Sequence, residues 1–263
     1  MTNHPLLRQT PRDLIGKIIK KAGYRWKKAK IVLTSNDPEY KQKLEHIKEI
    51  LISLSKDERF FSCDEFGPFA VKMMSGRKLV APGEYTQVPQ FQKSKGSLIL
   101  TAALELSTNH VTHFYSEKKN TGEMIHLLDV LLKEYQGCTR IYLSWDAASW
   151  HISKTLNARV DEVNDQSFRQ QHKTPEVVMA PLPASAQFLN VIESVFSGLA
   201  RSIIHNSNYG SVDDAQAAID RYFKERNKHF QNHPKVAGRK IWGSERVPSQ
   251  FDETKNCKDV KFR

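Results

Sequence analysis

The stretch SLILTAALELSTNHVTHFYSEKKNTGEMIHLLDVLLKEYQGCTRIYLSWD, residues 97–146, decides the fold. It opens with two β-rich runs, SLILTAALEL (97–106) and VTHFYS (111–116), joined at Ser107–His110. Apolar runs bounded by turn residues at this separation predict two strands of a hairpin. TGEMIHLLDVLLKEYQG (121–137) then changes to a helical period and stops at Gly137, as a helix with a glycine C-cap does. RIYLSW (140–145) returns to strand character and runs into Asp146.

The same reading extends outward. Upstream, FFSCDEF (60–66) is a short strand, and residues 69–74 and 77–81 are expected to form a hairpin around Ser75-Gly76. Downstream come a helix over about 151–164, a polar stretch DEVNDQSFRQQHKT (161–174) expected as a surface loop, and a strand VVMAPL (177–182). Two further helices are QFLNVIESVFSGLAR (187–201) and VDDAQAAIDRYFKERNKHF (212–230). An antiparallel meander followed by strand–helix–strand crossovers implies an α/β fold. Its mixed five-stranded sheet carries helices on both faces, in ribonuclease H-like order.

Before this block the chain is helical and basic. SNDPEYKQKLEHIKEILISLS offers Asn36 or Asp37 as a cap and Pro38 at the first helical position. Leu44, Ile47, Leu51 and Leu54 give it an apolar stripe. RDLIGKIIKKA (12–22) is a shorter helix whose Leu14, Ile15, Ile18 and Ile19 share one face, with Gly23 behind it. A helix of about 11 residues is marginal alone and must pack on others. The expected organisation is therefore a basic helical segment over 1–30, a connecting helix over 31–58, an α/β domain over 59–230 and a basic tail over 231–263.

Charge divides the same way. The chain of 263 residues carries a net +11. Residues 1–60 hold 14 Lys and Arg against 7 acids and residues 201–263 hold 13 against 8, whereas residues 61–200 hold 13 against 14. Lys17, Lys20, Lys21, Arg25, Lys27, Lys28 and Lys30 follow one another without an acid, and Lys235, Arg239 and Lys240 lie near the other end. Basic ends around a neutral centre suit a polyanion such as DNA, because each phosphate contact releases condensed counterions. No apolar run approaches a membrane span, and the N-terminus lacks a signal-peptide core, so a cytoplasmic protein without membrane contact is expected. Cys63, Cys138 and Cys257 match no disulfide framework or zinc spacing and read as reduced thiols.

Three acids stand out by place. Asp64 lies on the first strand, on the same face as Ser62 and opposite to Glu65. Asp146 sits at the carboxyl end of a later strand, where open α/β sheets keep their sites. Glu193 lies on the flank of a helix whose buried face is centred by Phe188, Ile192, Val195 and Leu199. Cleaving a phosphodiester requires an activated oxygen nucleophile and stabilisation of the leaving oxygen. Two Mg²⁺ ions held by a few carboxylates supply both.

These blocks make the chain resemble a DDE transposase of the mariner superfamily, of the bacterial insertion-sequence type. CDEFGPF carries Asp64, YLSWDAASWH carries Asp146 and LPASAQFLNVIESVF carries Glu193. GYRWKKAK, DPEY, HPKVAGRKIWG and RYFKERNKHF support the likeness along nearly the whole chain. The resemblance implies a metal-dependent enzyme that cleaves and joins DNA strands at insertion-sequence ends. It implies Asp64, Asp146 and Glu193 as ligands of two Mg²⁺ ions, with Mn²⁺ able to substitute. It further implies terminal inverted repeats and target DNA as partners, a homodimer on DNA and a place at the nucleoid. Ala147 stands where relatives often have Asn, Val191 where they often have Pro, and the 46 residues between Asp146 and Glu193 exceed the usual spacing. The resemblance implies that residues 1–30 are a remnant of a helix-turn-helix DNA-binding region and that 59–230 is the DDE catalytic domain. The short front suggests an N-terminally truncated form, and a DNA-binding remnant with little or no activity is the alternative. His151 either serves the site, by touching the scissile phosphate or orienting a metal-bound water, or packs at a helix start. Trp145 and Trp150 read as core rather than as base-stacking platforms.

Overall fold

The computed structural model describes residues 11–25, 35–151 and 153–238. Trp26, Lys27, Lys28, Lys30, Arg239, Lys240 and Cys257 lie outside the described residues. The chain divides into a unit Met1–Val32 and a unit Leu33–Arg263. In the first, helix α1 (Arg12–Lys21) ends as predicted, with Gly23 at φ 86° and Tyr24 N–H donating to Ile19 O (3.1 Å). Leu14, Ile18 and Ile19 of its apolar face are exposed.

The second unit begins with α2 (Tyr40–Ser53) and is built on five strands: β1 (Glu58–Ala70), β2 (Ser97–Glu105), β3 (Val111–Ser116), β4 (Arg140–Ser144) and β5 (Glu176–Met179). Their order is β3-β2-β1-β4-β5, antiparallel on the β2–β3 side of β1 and parallel on the β4–β5 side. Helices α3 (Thr121–Glu134), α4 (Lys154–Asn164), α5 (Gln166–His172), α6 (Ile192–Leu199) and α7 (Val212–Asn232) complete it. Strand alternation explains the two cores. Phe60, Leu100, Leu104 and Tyr142 pack with residues of α2, α6 and α7, while Phe61, Cys63, Ala103, Ile141 and Leu143 pack with α3 and α4. The expected mixed sheet with helices on both faces is the observed fold.

Three local expectations are corrected. No hairpin forms over 69–81: β1 stops at Ala70, and residues 71–96 contain no helix or strand. The chain there pairs with a distant segment instead, since Met74 N–H donates to Ser207 O (2.8 Å) and Asn206 Nδ2 to Arg77 O (2.8 Å). A Cβ at Gly76 would come within 2.9 Å of His205 Cβ. The base of this segment is closed by Val71–Gly96 and Lys95–Val71 backbone bonds and by the Gln92 amide bonded to Met73 on both sides. Leu79, Tyr85 and Phe91 stand exposed beyond it.

The polar stretch 161–174 is also not a loop. It finishes α4 and forms α5, with the Asp165 carboxylate accepting from Ser167 and Phe168 N–H to cap the second helix. Val163 supplies a fully buried anchor, and the Asn164 amide brackets the Val177 backbone. Finally, the helix expected over 187–201 is broken. A 3₁₀ turn over Gln187–Leu189 and an extended Asn190 precede α6, and a π-helical turn over Ala200–Ile204 follows it. Phe188 therefore lies outside α6.

Candidate active site

β1 and β4 run parallel, with Ser62 opposite Ser144 as the last paired residues. Asp64 and Asp146 each lie two residues further on, so they emerge side by side at one end of the sheet. The break before α6 brings in the third acid. Ser62 Oγ donates to Asn190 Oδ1 (2.6 Å) and accepts from Ile192 N–H (3.1 Å), while Asn190 Nδ2 donates to Asp64 Oδ2 (2.8 Å). The start of α6 is thus pinned to β1 beside Asp64, and Glu193 falls in its first turn.

Asp146 is held more firmly. Its Oδ1 accepts from Ala148 N–H (3.0 Å) and from His151 Nδ1 (2.8 Å). His151 is 1% exposed and stacks on Trp145, with centroids 5.4 Å apart and planes at 24°. Its Nε2 faces Glu65 Oε2 at 3.5 Å, and Glu65 Oε1 accepts from Trp150 Nε1 (3.0 Å). Burial opposes charge on His151, but the two flanking carboxylates overcome it and the imidazole is pushed up to about 9. The His151 hydrogen bond in turn holds the Asp146 carboxyl below its usual range.

Asp64 behaves oppositely. Burial, together with the charges of Asp146, Glu193 and Glu65, pushes it up to about 7 against the pull of the Glu65 N–H. The charges of Asp146 and Glu193 both press on Asp64. Among the described residues, no three His, Cys, Asp or Glu side chains converge on one ion-sized point. The donor set nevertheless fits a hard divalent cation, being all carboxylate oxygen.

A sequence model of the family described as DDE superfamily endonuclease matches residues 59–216, more than half of the chain. The chain belongs to the DDE endonuclease superfamily. This DDE endonuclease is similar in fold to the Mos1 transposase in its paired-end complex with the left transposon end. That match has 16% identity and a TM-score of 0.59, covering 88% of this chain and 68% of the other. The Mos1 strand transfer complex gives 14% identity and a TM-score of 0.60, covering 88% and 67%. The catalytic domain of Mos1 mariner transposase gives 14% identity and 0.53, covering 83% and 93%. No curated protein matches the chain.

Of the predicted site residues of the endonuclease, Asp64, Asp146, Glu193 and His151 meet at this end of the sheet. His151 is reached by Asp146 from within the fold rather than standing open. Lys17, Lys20, Lys21 and Arg25 belong to the other unit, where all four are exposed. Sequence reasoning missed Asn190, 3% exposed, whose sole signal was an amide directly before an apolar helix start. It also set Glu65 aside as pointing away from Asp64. The direction was right, yet that path leads to His151.

Proposed function

We propose that this DDE endonuclease is a transposase that cleaves DNA at the ends of a mobile element and joins the freed strands to a target. The observation that carries the reading is the gathering of Asp64, Asp146 and Glu193 at one sheet end, inside the matched family region. These three residues would hold two Mg²⁺ ions, or Mn²⁺ in their place. Such ions activate an attacking water or 3′-hydroxyl and take up charge on the leaving oxygen.

The chain's own groups prepare that site. Both bonds from Ala148 and His151 go to Oδ1 of Asp146, which leaves Oδ2 open as a ligand. Asn190 orients Asp64 while fixing the start of the Glu193 helix. The domain over 59–230 carries the chemistry. Residues 1–30 and 231–263 serve DNA recognition and 31–58 is the connecting helix, with Lys17, Lys20, Lys21, Arg25, Lys27, Lys28, Lys30, Arg239 and Lys240 meeting phosphates. A homodimer would hold two element ends together, at the nucleoid.

The test compares wild type with Asp146→Asn on supercoiled plasmid and on duplexes bearing the element ends, in Mg²⁺ and in Mn²⁺. Wild type should yield nicked and joined products on denaturing gels, and the variant neither. Equal products from both would refute the reading.

A further inference from the structure

Glu65 is a carboxylate with 1% side-chain exposure, placed against an imidazole that is equally buried. Burying such charges costs several kcal/mol unless each is paired. A purely structural acceptor for the Trp150 indole could be Gln, which carries no such cost. Strand alternation sends Asp64 and Glu65 to opposite faces of β1. The turn after β4 then brings His151 between Glu65 and Asp146. Two successive acids thus act on one centre, the first directly and the second through a ring.

We propose that Glu65, fixed by Trp150, is a positioning residue that sets the orientation of His151 and thereby of the Asp146 carboxylate toward its metal. The ring of His151 has little freedom. Trp145 stacks on it, Trp150 meets it edge-on at 5.6 Å and 72°, and carboxylates face both nitrogens. Trp150 Nε1 locks one oxygen of Glu65, so the other stays aimed at Nε2. Lys119 Nζ donates to the Glu65 carbonyl (3.1 Å) and steadies the strand there. The chain Trp150–Glu65–His151–Asp146 runs from the packed core beneath the sheet to the open oxygen of Asp146. Outer groups of this kind orient ligands and tune their affinity.

This inference rests on the metal reading above, and the experiment separates the two. Mn²⁺ binding is followed by electron paramagnetic resonance on the full chain, with thermal melting in parallel, for wild type, Glu65→Gln, Trp150→Phe, His151→Gln and the Glu65→Gln/His151→Gln double variant. Glu65→Gln keeps an acceptor for Trp150 but loses the charge facing His151. It should weaken Mn²⁺ binding roughly 10-fold, and the double variant should bind about as weakly as His151→Gln alone. Trp150→Phe should weaken binding less, and it carries the test if Glu65→Gln does not fold. Wild type that binds Mn²⁺, with Glu65→Gln and Trp150→Phe unchanged, overturns this inference alone. Additive losses in the double variant overturn it too. Wild type that binds no Mn²⁺ overturns both readings.

Discussion

Asp146 and Glu193 reach the same end of the sheet by different means. Asp146 follows a strand and is gripped by Ala148 N–H and by a buried imidazole with its own counter-anion. Glu193 lies in the first turn of a helix and is exposed, and among the described residues nothing hydrogen-bonds its carboxylate. The fold uses side chains to orient the carboxylate of the first acid, whereas it places the second only by pinning the start of its helix through Ser62 and Asn190. In the proposed metal site, Asp146 would be set before any ion arrives. Glu193 would be free to adjust to what the other two hold.

The largest effects should not distinguish the two acids. Asp146→Asn and Glu193→Gln should each abolish strand cleavage on a plasmid substrate. Stability should separate them. Asp146→Ala deprives a buried charged imidazole of its nearest partner and should cost about 3 kcal/mol, lowering Tm by roughly 5–10 °C. Glu193→Gln removes a charge that presses on Asp64. In EDTA it should raise Tm slightly, and equal losses in both variants would break the comparison.

A pH series sharpens it. Because His151 is pushed up to about 9, the stability its pairing provides is complete below its ordinary value of 6.5 and is lost as pH rises through about 9. The deficit of Asp146→Ala relative to wild type, followed by denaturant unfolding, should therefore shrink on the alkaline side. An unchanged deficit would mean that the ring is not charged.

The smallest effect tests tethering outside the site. The Asp37 carboxylate accepts from Ala184 N–H (2.7 Å) and pairs with Lys43 (2.9 Å). Burial works against it, but these bonds and the Glu39 N–H hold its carboxyl below the ordinary 3.8. Its contribution is present above that value and fades as pH falls through its lowered one. Asp37→Ala should cost about 1 kcal/mol at neutral pH and leave Mn²⁺ binding unchanged.

Element types over 97–146 were legible in the sequence because each segment there is apolar in a period that its neighbours can satisfy. Asp64 and Asp146 were legible for the same reason, as acids at strand positions. The order of elements, more than any one residue, identified the sheet. What stayed hidden depends on distant partners. Residues 71–81 look like strands, but Met74 and Arg77 bond to Ser207 and Asn206, more than 120 positions away. The polar look of 161–174 concealed the last turn of α4, anchored by Val163, and the whole of α5, which buries no residue and is capped by Asp165. Asn190 and Glu65 were invisible as site residues because their roles exist only once β1, β4 and α6 meet.

The excursion from Met74 to Phe91 is shut off from the sheet by the Gln92–Met73 clasp and the Val71–Gly96 bonds behind it. Chain inserted between Leu79 and Phe91, past the bonds that tie Met74 and Arg77 to Ser207 and Asn206, would meet only the closure entropy of a longer loop, which grows with the logarithm of its length. The segment is therefore a natural point for splicing in a fluorescent reporter or an affinity peptide while β1 and β2 keep their register. Among sequences sharing this scaffold, it is where length should drift most freely.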